Sequence, residues 1–285
     1  MGLMFGAGGY IGSRLNLTLK FDVHDVGFYS KKDTVSTWAS QEDHDIIIWL
    51  AAYASNWLCE KLPHESFDLN VWAFNEVVNK LRDDQLLIYA SSASVYGQNP
   101  GVSIEDDPLP TPLLNYDLQK SITDQIAAKH IADGKNIIGL RFGTVNGISP
   151  HCRTDLMVNS MVLSAIDTGS IRLQNLYRRR SLLYLEDLVT AFELMLAKPV
   201  PGIYNLHSTN TTVENLGHEV AHLMDADIEV LENNPNPYDF AMSSNKFITT
   251  FGNFRKTSLV DVVDGLWQGL GYSYKTRRDE LPKNH

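Results

Sequence analysis

Tyr116 stands four residues before Lys120 in the stretch NYDLQK, so on a helix the two side chains share one face. A phenol with an ordinary pKa of about 10 is a poor base at neutral pH. A neighbouring ammonium favours the phenolate and lowers that value, and the positive charge of an oxidised nicotinamide would act the same way. A tyrosine primed in this manner can take the proton of an alcohol as hydride leaves, or return it when a ketone is reduced. Upstream, YASSASVYG (89–97) carries Ser92, whose hydroxyl can bond the same substrate oxygen and fix its position. A Tyr-x-x-x-Lys spacing alone is common on surface helices, so the order of the surrounding segments decides what it means.

Continuous apolar runs at DIIIWLAA (45–52), LLIYASS (86–92) and NIIGLRFG (136–143) have the texture of strands buried on both faces. Leu3–Phe5 and Val26–Tyr29 are shorter runs, expected as the first and second strands. Between the strands, Phe67–Leu81 repeats Val71, Phe74, Val77, Val78 and Leu81 at helical spacing. Asp117–Ile131 places Leu118, Ile122 and Ile126 on one stripe expected to pack inward. Alternating strands and helices predict an α/β fold with a parallel sheet. Ser92 then falls at the carboxyl edge of its strand, where open α/β sheets bind ligands.

After Gly147 the texture turns irregular. A helix is expected near Leu156–Ile166, a strand at SIRLQ, a short strand and amphipathic helix in RRRSLLYLEDLVTAFELML, and a Thr-capped helix at TTVENLGHEVAHLM. The expected organisation is a dinucleotide-binding domain over 1–145, with 181–200 returning to it. A smaller lobe is expected over 146–180 and 201–275, with 276–285 a polar tail.

GAGGYIG (6–12) sits between the first strand and the first helix, with glycines at 6, 9 and 12. In that setting a tight turn, backbone N–H groups that approach a pyrophosphate and close helix–sheet packing all require glycine. The helix N-terminus adds partial positive charge toward the anion. The residue that reads the adenosine ribose follows about 20 positions later. There HDVGFYSKK ends in Ser30, Lys31 and Lys32, cations where an acid usually stands, which favours NADP over NAD.

The formal net charge of −10 argues against nonspecific binding to nucleic acid or anionic membranes. No apolar run approaches the ~20 residues of a membrane span. The N-terminus lacks the build of a signal peptide. Cys59 and Cys152 are isolated thiols, and no metal-ligand spacing occurs, which fits a cytoplasmic protein without a structural metal. Cys152 is not expected to serve as an acid or base.

Taken together, GAGGYIG, DIIIWLAA, FDLNVWAFN, SSASVYG, NYDLQK, LRFGTVNG and RRRSLLYLED resemble the extended short-chain dehydrogenase/reductase family, in its nucleotide-sugar epimerase/dehydratase group. The resemblance implies a Rossmann-type doubly wound parallel sheet with a smaller C-terminal substrate lobe. It implies Ser92, Tyr116 and Lys120 as the catalytic set, with Lys120 also holding the nicotinamide ribose. Gly6, Gly9, Tyr10, Ile11 and Gly12 would flank the pyrophosphate. Ala51, Ala52, Tyr53 and Asn70 would line the cofactor, and Phe142 would lie near the nicotinamide. Arg180 matches an arginine that clamps a sugar nucleotide's diphosphate, for which a guanidinium is well shaped. Arg153, Ser94 and Thr144 are the further substrate contacts implied. A homodimer formed through the helices at Phe67–Leu81 and Asp117–Ile131 is the family expectation.

The chain also departs from that pattern. The stretch from Ser30 to Asp45 is too short for a usual third strand and helix, so the adenine pocket must differ. Thr144 stands where the family often has Asn. Ala93 and Ser94 follow Ser92 where the dehydratase branch carries Asp-Glu, which removes the carboxylate of a 4,6-dehydratase. The cysteine of fucose-synthase-like enzymes is absent at Ser94. The expected activity is oxidation or reduction at C4 of a nucleotide-linked hexose, as a 4-keto reductase or a 4-epimerase. The alternative is a non-catalytic nucleotide or nucleotide-sugar binding protein on the same scaffold.

Overall fold

The computed structural model describes residues 2–24, 38–233, 235 and 238–271. Six parallel strands form the central sheet in the order β10-β6-β4-β3-β1-β2. They are β1 (Gly2–Phe5), β2 (Asp22–His24), β3 (Ile46–Trp49), β4 (Leu86–Ser92), β6 (Ile137–Phe142) and β10 (Gly202–Leu206). Side chains alternate across the pleat. Met4, Ile48, Ile88 and Leu140 pack on one face with Leu15 of α1 (Tyr10–Leu19) and with Leu188 and Phe192 of a later helix. Leu3, Phe5, Ile47, Leu87 and Tyr89 face the other side, against Phe74, Val77 and Val78. The sheet is thus covered on both faces, as the unbroken apolar runs required. The strand order reverses beside β1, which pairs with β2 on one side and β3 on the other. That switch point opens a crevice at the carboxyl ends of the strands.

The other helices are α2 (Asn56–Lys61), α3 (Pro63–Phe67), α4 (Phe74–Asn79), α5 (Asn115–Ala132), α6 (Met157–Thr168), α7 (Leu185–Ala197), α8 (Val213–Met224), α9 (Asn245–Phe251) and α10 (Leu259–Gly271). A π-helical turn, Asp68–Ala73, joins α3 to α4, so the helix expected over Phe67–Leu81 runs through a wider register in its middle. Small sheets build the second lobe: β7 (Thr144–Asn146), β9 (Arg179–Tyr184) and β11 (Thr209–Thr212); β8 (Ser170–Leu173) with β12 (Asp227–Val230); β5 (Gln98–Ser103) with β13 (Asp239–Met242). Its core joins α6, β8, α8 and α10 through Val162, Ile171, Val220 and Leu266. Thr212 caps α8, its Oγ1 accepting from the Asn215 N–H, as the sequence signal implied.

Three expectations change. The strand beside β1 is Asp22–His24; Val26–Tyr29, Ser30, Lys31, Lys32 and the 276–285 tail lie outside the described residues. Residues 202–206, expected in the substrate lobe, form the sheet edge β10, paired with β6. Phe247 and Phe254 also pack into the core beneath the central sheet. The third correction concerns α5. Leu118 is 41% exposed; Ile126 does pack against the core and Ile122 is half-buried, but the fully buried face is made mainly by Asp117, Gln119, Lys120, Ser121, Thr123, Asp124 and Ala127.

Polar bonds explain that inversion. Asp124 meets Arg141 of β6 at 2.7 Å, with both side chains almost wholly buried. The Tyr89 hydroxyl donates to its other oxygen at 2.9 Å. Gln119 accepts from Asn70 Nδ2 at 2.6 Å and donates to Ser66 Oγ at 2.8 Å. Removing one partner of such a buried pair strands the other charge. Asp124→Ala is therefore expected to cost about 3–5 kcal/mol of stability, read as a lower denaturant midpoint. A midpoint equal to the parent's would show that the pair does not hold α5.

Candidate active site

A cavity of about 660 Å³ opens at the switch point. Gly6, Gly9, Tyr10, Ile11 and Gly12 form its floor, and Ser92, Ser94, Tyr116, Lys120, Phe142, Thr144, Arg153 and Arg180 line it as well. The structure thus gathers in one place most residues singled out from the sequence. Ala51, Tyr53 and Asn70 stand behind the wall. Asn70 is buried and spends its amide on the loop after β3: the Tyr53 N–H donates to Oδ1 at 2.8 Å, and Nδ2 donates to the Tyr53 carbonyl at 3.2 Å. It shapes the cofactor wall without facing it.

The glycine loop fits a dinucleotide. Gly6 has φ +81°, which a β-carbon would strain, and an added Cβ would stand 2.8 Å from the Ala51 nitrogen. A Cβ on Gly12 would overlap the Gly6 carbonyl oxygen and lie 2.7 Å from Ala7 Cα. Helix α1 therefore begins as close to β1 as backbone allows. Gly9 caps it without a side chain, so the first N–H groups remain available to an anion. Tyr10 lines the cavity, but its hydroxyl donates to the Gly147 carbonyl at 2.8 Å. Ser13 and Ser149 hydroxyls meet at 2.9 Å, Ser149 also donates to the Tyr10 carbonyl, and His151 contacts the Gly8 carbonyl. A segment of the second lobe is thereby strapped over the glycine loop.

Tyr116 and Lys120 share the inner face of α5, and Lys120 Nζ lies 5.8 Å from the tyrosine ring centroid. Ser92 stands beside the Tyr116 hydroxyl and pulls its pKa down. The Ser94 N–H donates to Ser92 Oγ at 3.1 Å, which fixes the serine oxygen beside Tyr116. Lys120 donates to the Ala90 carbonyl at 2.7 Å. The electrostatics correct the expectation of a lowered phenol. Burial pushes Tyr116 up to about 12, against Ser92 and the Arg153 charge, which both pull it down. Burial likewise pushes Lys120 down to about 8, against the charge of Asp124. Without ligand, desolvation outweighs any gain from Lys120, and Arg153 is the cation that Tyr116 feels.

Arg180, also in the lining, is buried, and its Nη1 donates to the carbonyls of Arg179 and Tyr238 at 2.8 and 2.7 Å. Its neighbours do other work. Arg179 ties Asp239 to the backbone of β5, and Arg178 lies 3.6 Å from Asp239. Arg153 forks onto Asp155 at 3.0 and 2.6 Å and donates to the Ala54 carbonyl at 3.1 Å, spanning the mouth of the cavity. Cys152 is held by Asn159 outside the lining, and burial raises its thiol. Sequence reasoning missed Ser91, Tyr238 and Trp57, which also line the cavity. Ser91 Oγ is buried without a hydrogen-bond partner, and Ser94 Oγ, near Asp117, has none either. Such orphaned hydroxyls facing a cavity await a ligand. Only the doubled serine of YASSAS hinted at Ser91; nothing local marked Tyr238.

Residues 3–206 match the NAD dependent epimerase/dehydratase family. The chain is 29% identical to Protein CapI of Staphylococcus aureus over 173 residues, 59% of this chain and 51% of that protein. It spans about half the length of the curated relatives it matches. The structure of MoeE5 in complex with UDP-glucuronic acid and NAD superposes with a TM-score of 0.82 at 20% identity, over 95% of this chain and 99% of that one. The UDP-glucose 4-epimerase of Thermus thermophilus in complex with NAD gives 0.80 at 19% identity, over 95% and 99%. At these identities the superpositions establish the Rossmann-type fold.

Gly12→Ala tests the loop. The added methyl meets backbone it cannot displace cheaply, so about 1–3 kcal/mol of stability is lost and nicotinamide-dinucleotide binding weakens with it. Thermal unfolding and cofactor fluorescence titration read both effects; parental binding by this variant would show that the close approach is not needed.

Proposed function

Because the chain belongs to the NAD dependent epimerase/dehydratase family, we propose that it is a nucleotide-sugar oxidoreductase working at C4 of the hexose. The observation that carries this reading is the meeting of Ser92, Tyr116 and Lys120 in the cavity floored by the glycine loop. When bound, the nicotinamide supplies a hydride acceptor and donor. Tyr116 moves the proton at the sugar oxygen, Ser92 bonds that same oxygen, and Lys120 holds the nicotinamide ribose. Arg180 and Arg153 hold the diphosphate. A non-catalytic binding protein would need no hydroxyl pair of this kind at the nicotinamide end of its cleft.

Of the two reactions, 4-epimerisation is the better supported. The segment Gly147–His151, bonded to Tyr10, Ser13 and Gly8, covers the pyrophosphate loop and suits a cofactor kept through each turnover. The 4-keto reductase reading draws on Lys31 and Lys32, which favour NADP; Asp25, next in sequence after β2, is an acid of the kind that favours NAD. A cytoplasmic homodimer completes the proposal, with Phe67, Trp72 and Leu118 offering exposed apolar surface on the paired helices.

Tyr116→Phe is expected to lower turnover by about 10²–10⁴-fold while cofactor still binds. Mass spectrometry of molecules released from the parent names the dinucleotide and the nucleotide sugar. Cofactor recovered unconsumed after many turnovers identifies the epimerase, and stoichiometric loss of reduced cofactor the reductase. Activity retained without the phenol would overturn the proton-transfer role.

The pH profile gives a second check. Lys120 is depressed to about 8, so its ammonium is intact below that pH and is lost as pH rises through it. Tyr116, at about 12, stays protonated across the same range. The expected kcat/KM falls on the alkaline side near pH 8; a flat profile there would show that the ammonium is not required.

A further inference from the structure

Tyr238 crosses from the second lobe to the catalytic helix. Its hydroxyl donates to Asp117 Oδ1 at 2.8 Å, and it also hydrogen-bonds Asn56. Asp117 follows Tyr116 directly and is 2% exposed. At its other end, the Tyr238 carbonyl accepts from Arg180 Nη1 at 2.7 Å. Tyr238, Arg180 and Tyr116 all line the same cavity. One residue therefore joins the cation placed for a diphosphate to the first turn of the helix that carries the proton-transfer hydroxyl.

Besides Tyr238, that turn is held by Glu60 of α2, which accepts from both the N–H and the side-chain amide of Asn115, and by Gln119 and Lys120 just beyond it. Leu114 offers no capping side chain. Burial raises the Asp117 carboxyl, against the pull of the Tyr238 hydroxyl, so it sits in a costly place for a helix-surface acid. A packing contact needs no such carboxylate. A strut between two lobes does, because a hydrogen bond fixes distance and direction where apolar packing allows sliding.

We propose that Asp117 and Tyr238 are positioning residues forming a latch between the lobes, which sets the separation between the Arg180 clamp and the Tyr116 hydroxyl. The proposal rests on the oxidoreductase reading above. A substrate held at its diphosphate end presents its reacting carbon at a place fixed by that separation. An error of about 1 Å there costs up to about 10²-fold in rate.

The test compares Tyr238→Phe, Asp117→Ala, Asp117→Asn and the double variant Asp117→Ala/Tyr238→Phe. Tyr238→Phe and Asp117→Ala are expected to lose about tenfold or more in kcat, with the cofactor dissociation constant and Tm near the parent's. The double variant should lose no more than either single one, and Asp117→Asn, which keeps an acceptor, should retain most of the rate. Additive losses, equal losses in Asn and Ala, or losses that track a fall in Tm would overturn the latch. A second readout needs no turnover: amide exchange at Leu118, Gln119 and Lys120 should quicken in Tyr238→Phe, and unchanged exchange also overturns the proposal. A parent protein that moves hydride with no nucleotide sugar would overturn the oxidoreductase reading instead, and the exchange measurement then decides the latch alone.

Discussion

Helix α5 is bound to the sheet by hydrogen bonds and one ion pair on its inward face, and the site depends on that attachment. Asp124 with Arg141 and Tyr89, Gln119 with Asn70 and Ser66, and Lys120 with the Ala90 carbonyl spread along the buried side. Such bonds are directional and leave the helix one rotational setting. An apolar face could slide by part of a turn at small cost; this one would strand several polar groups. Tyr116 inherits that setting. Asn70 extends the same network to the loop after β3, so that loop and α5 share one set of bonds.

Electrostatics follow from the same burial. A lysine at about 8 and a tyrosine at about 12 are both displaced toward their neutral forms. Tyr116 and Lys120 sit under a desolvation penalty that an anionic ligand would relieve for Lys120 and a cationic ring would relieve for Tyr116. Such sites commonly trade stability for function. The orphaned Ser91 hydroxyl is part of that same cost.

Much of this was legible in the sequence, because the strands of a doubly covered sheet need unbroken apolar runs and the phosphate loop needs glycine. DIIIWLAA, LLIYASS and NIIGLRFG became β3, β4 and β6, and GAGGYIG became the cavity floor. The inward face of α5 was misread because apolar periodicity assumes that the buried side is the greasy side. Here long-range partners, Arg141 and Asn70 above all, make polar residues the inward ones. The Tyr116 shift was misjudged because spacing reports which residues are neighbours and says nothing of the water removed around them. Tyr238 was invisible for a related reason: its partner lies 121 positions away.

The return of β10 to the sheet has a consequence for how the chain is made. β6 pairs with β4 on one side, and its other edge waits for Gly202–Leu206. On the ribosome, the segment from Thr144 to Pro201 must emerge before that edge is covered, so the central sheet cannot be completed until it has. Exposed strand edges of this kind invite wrong pairing during synthesis. A fragment cut at residue 145 would keep its glycine loop and still present an open flank to its neighbours.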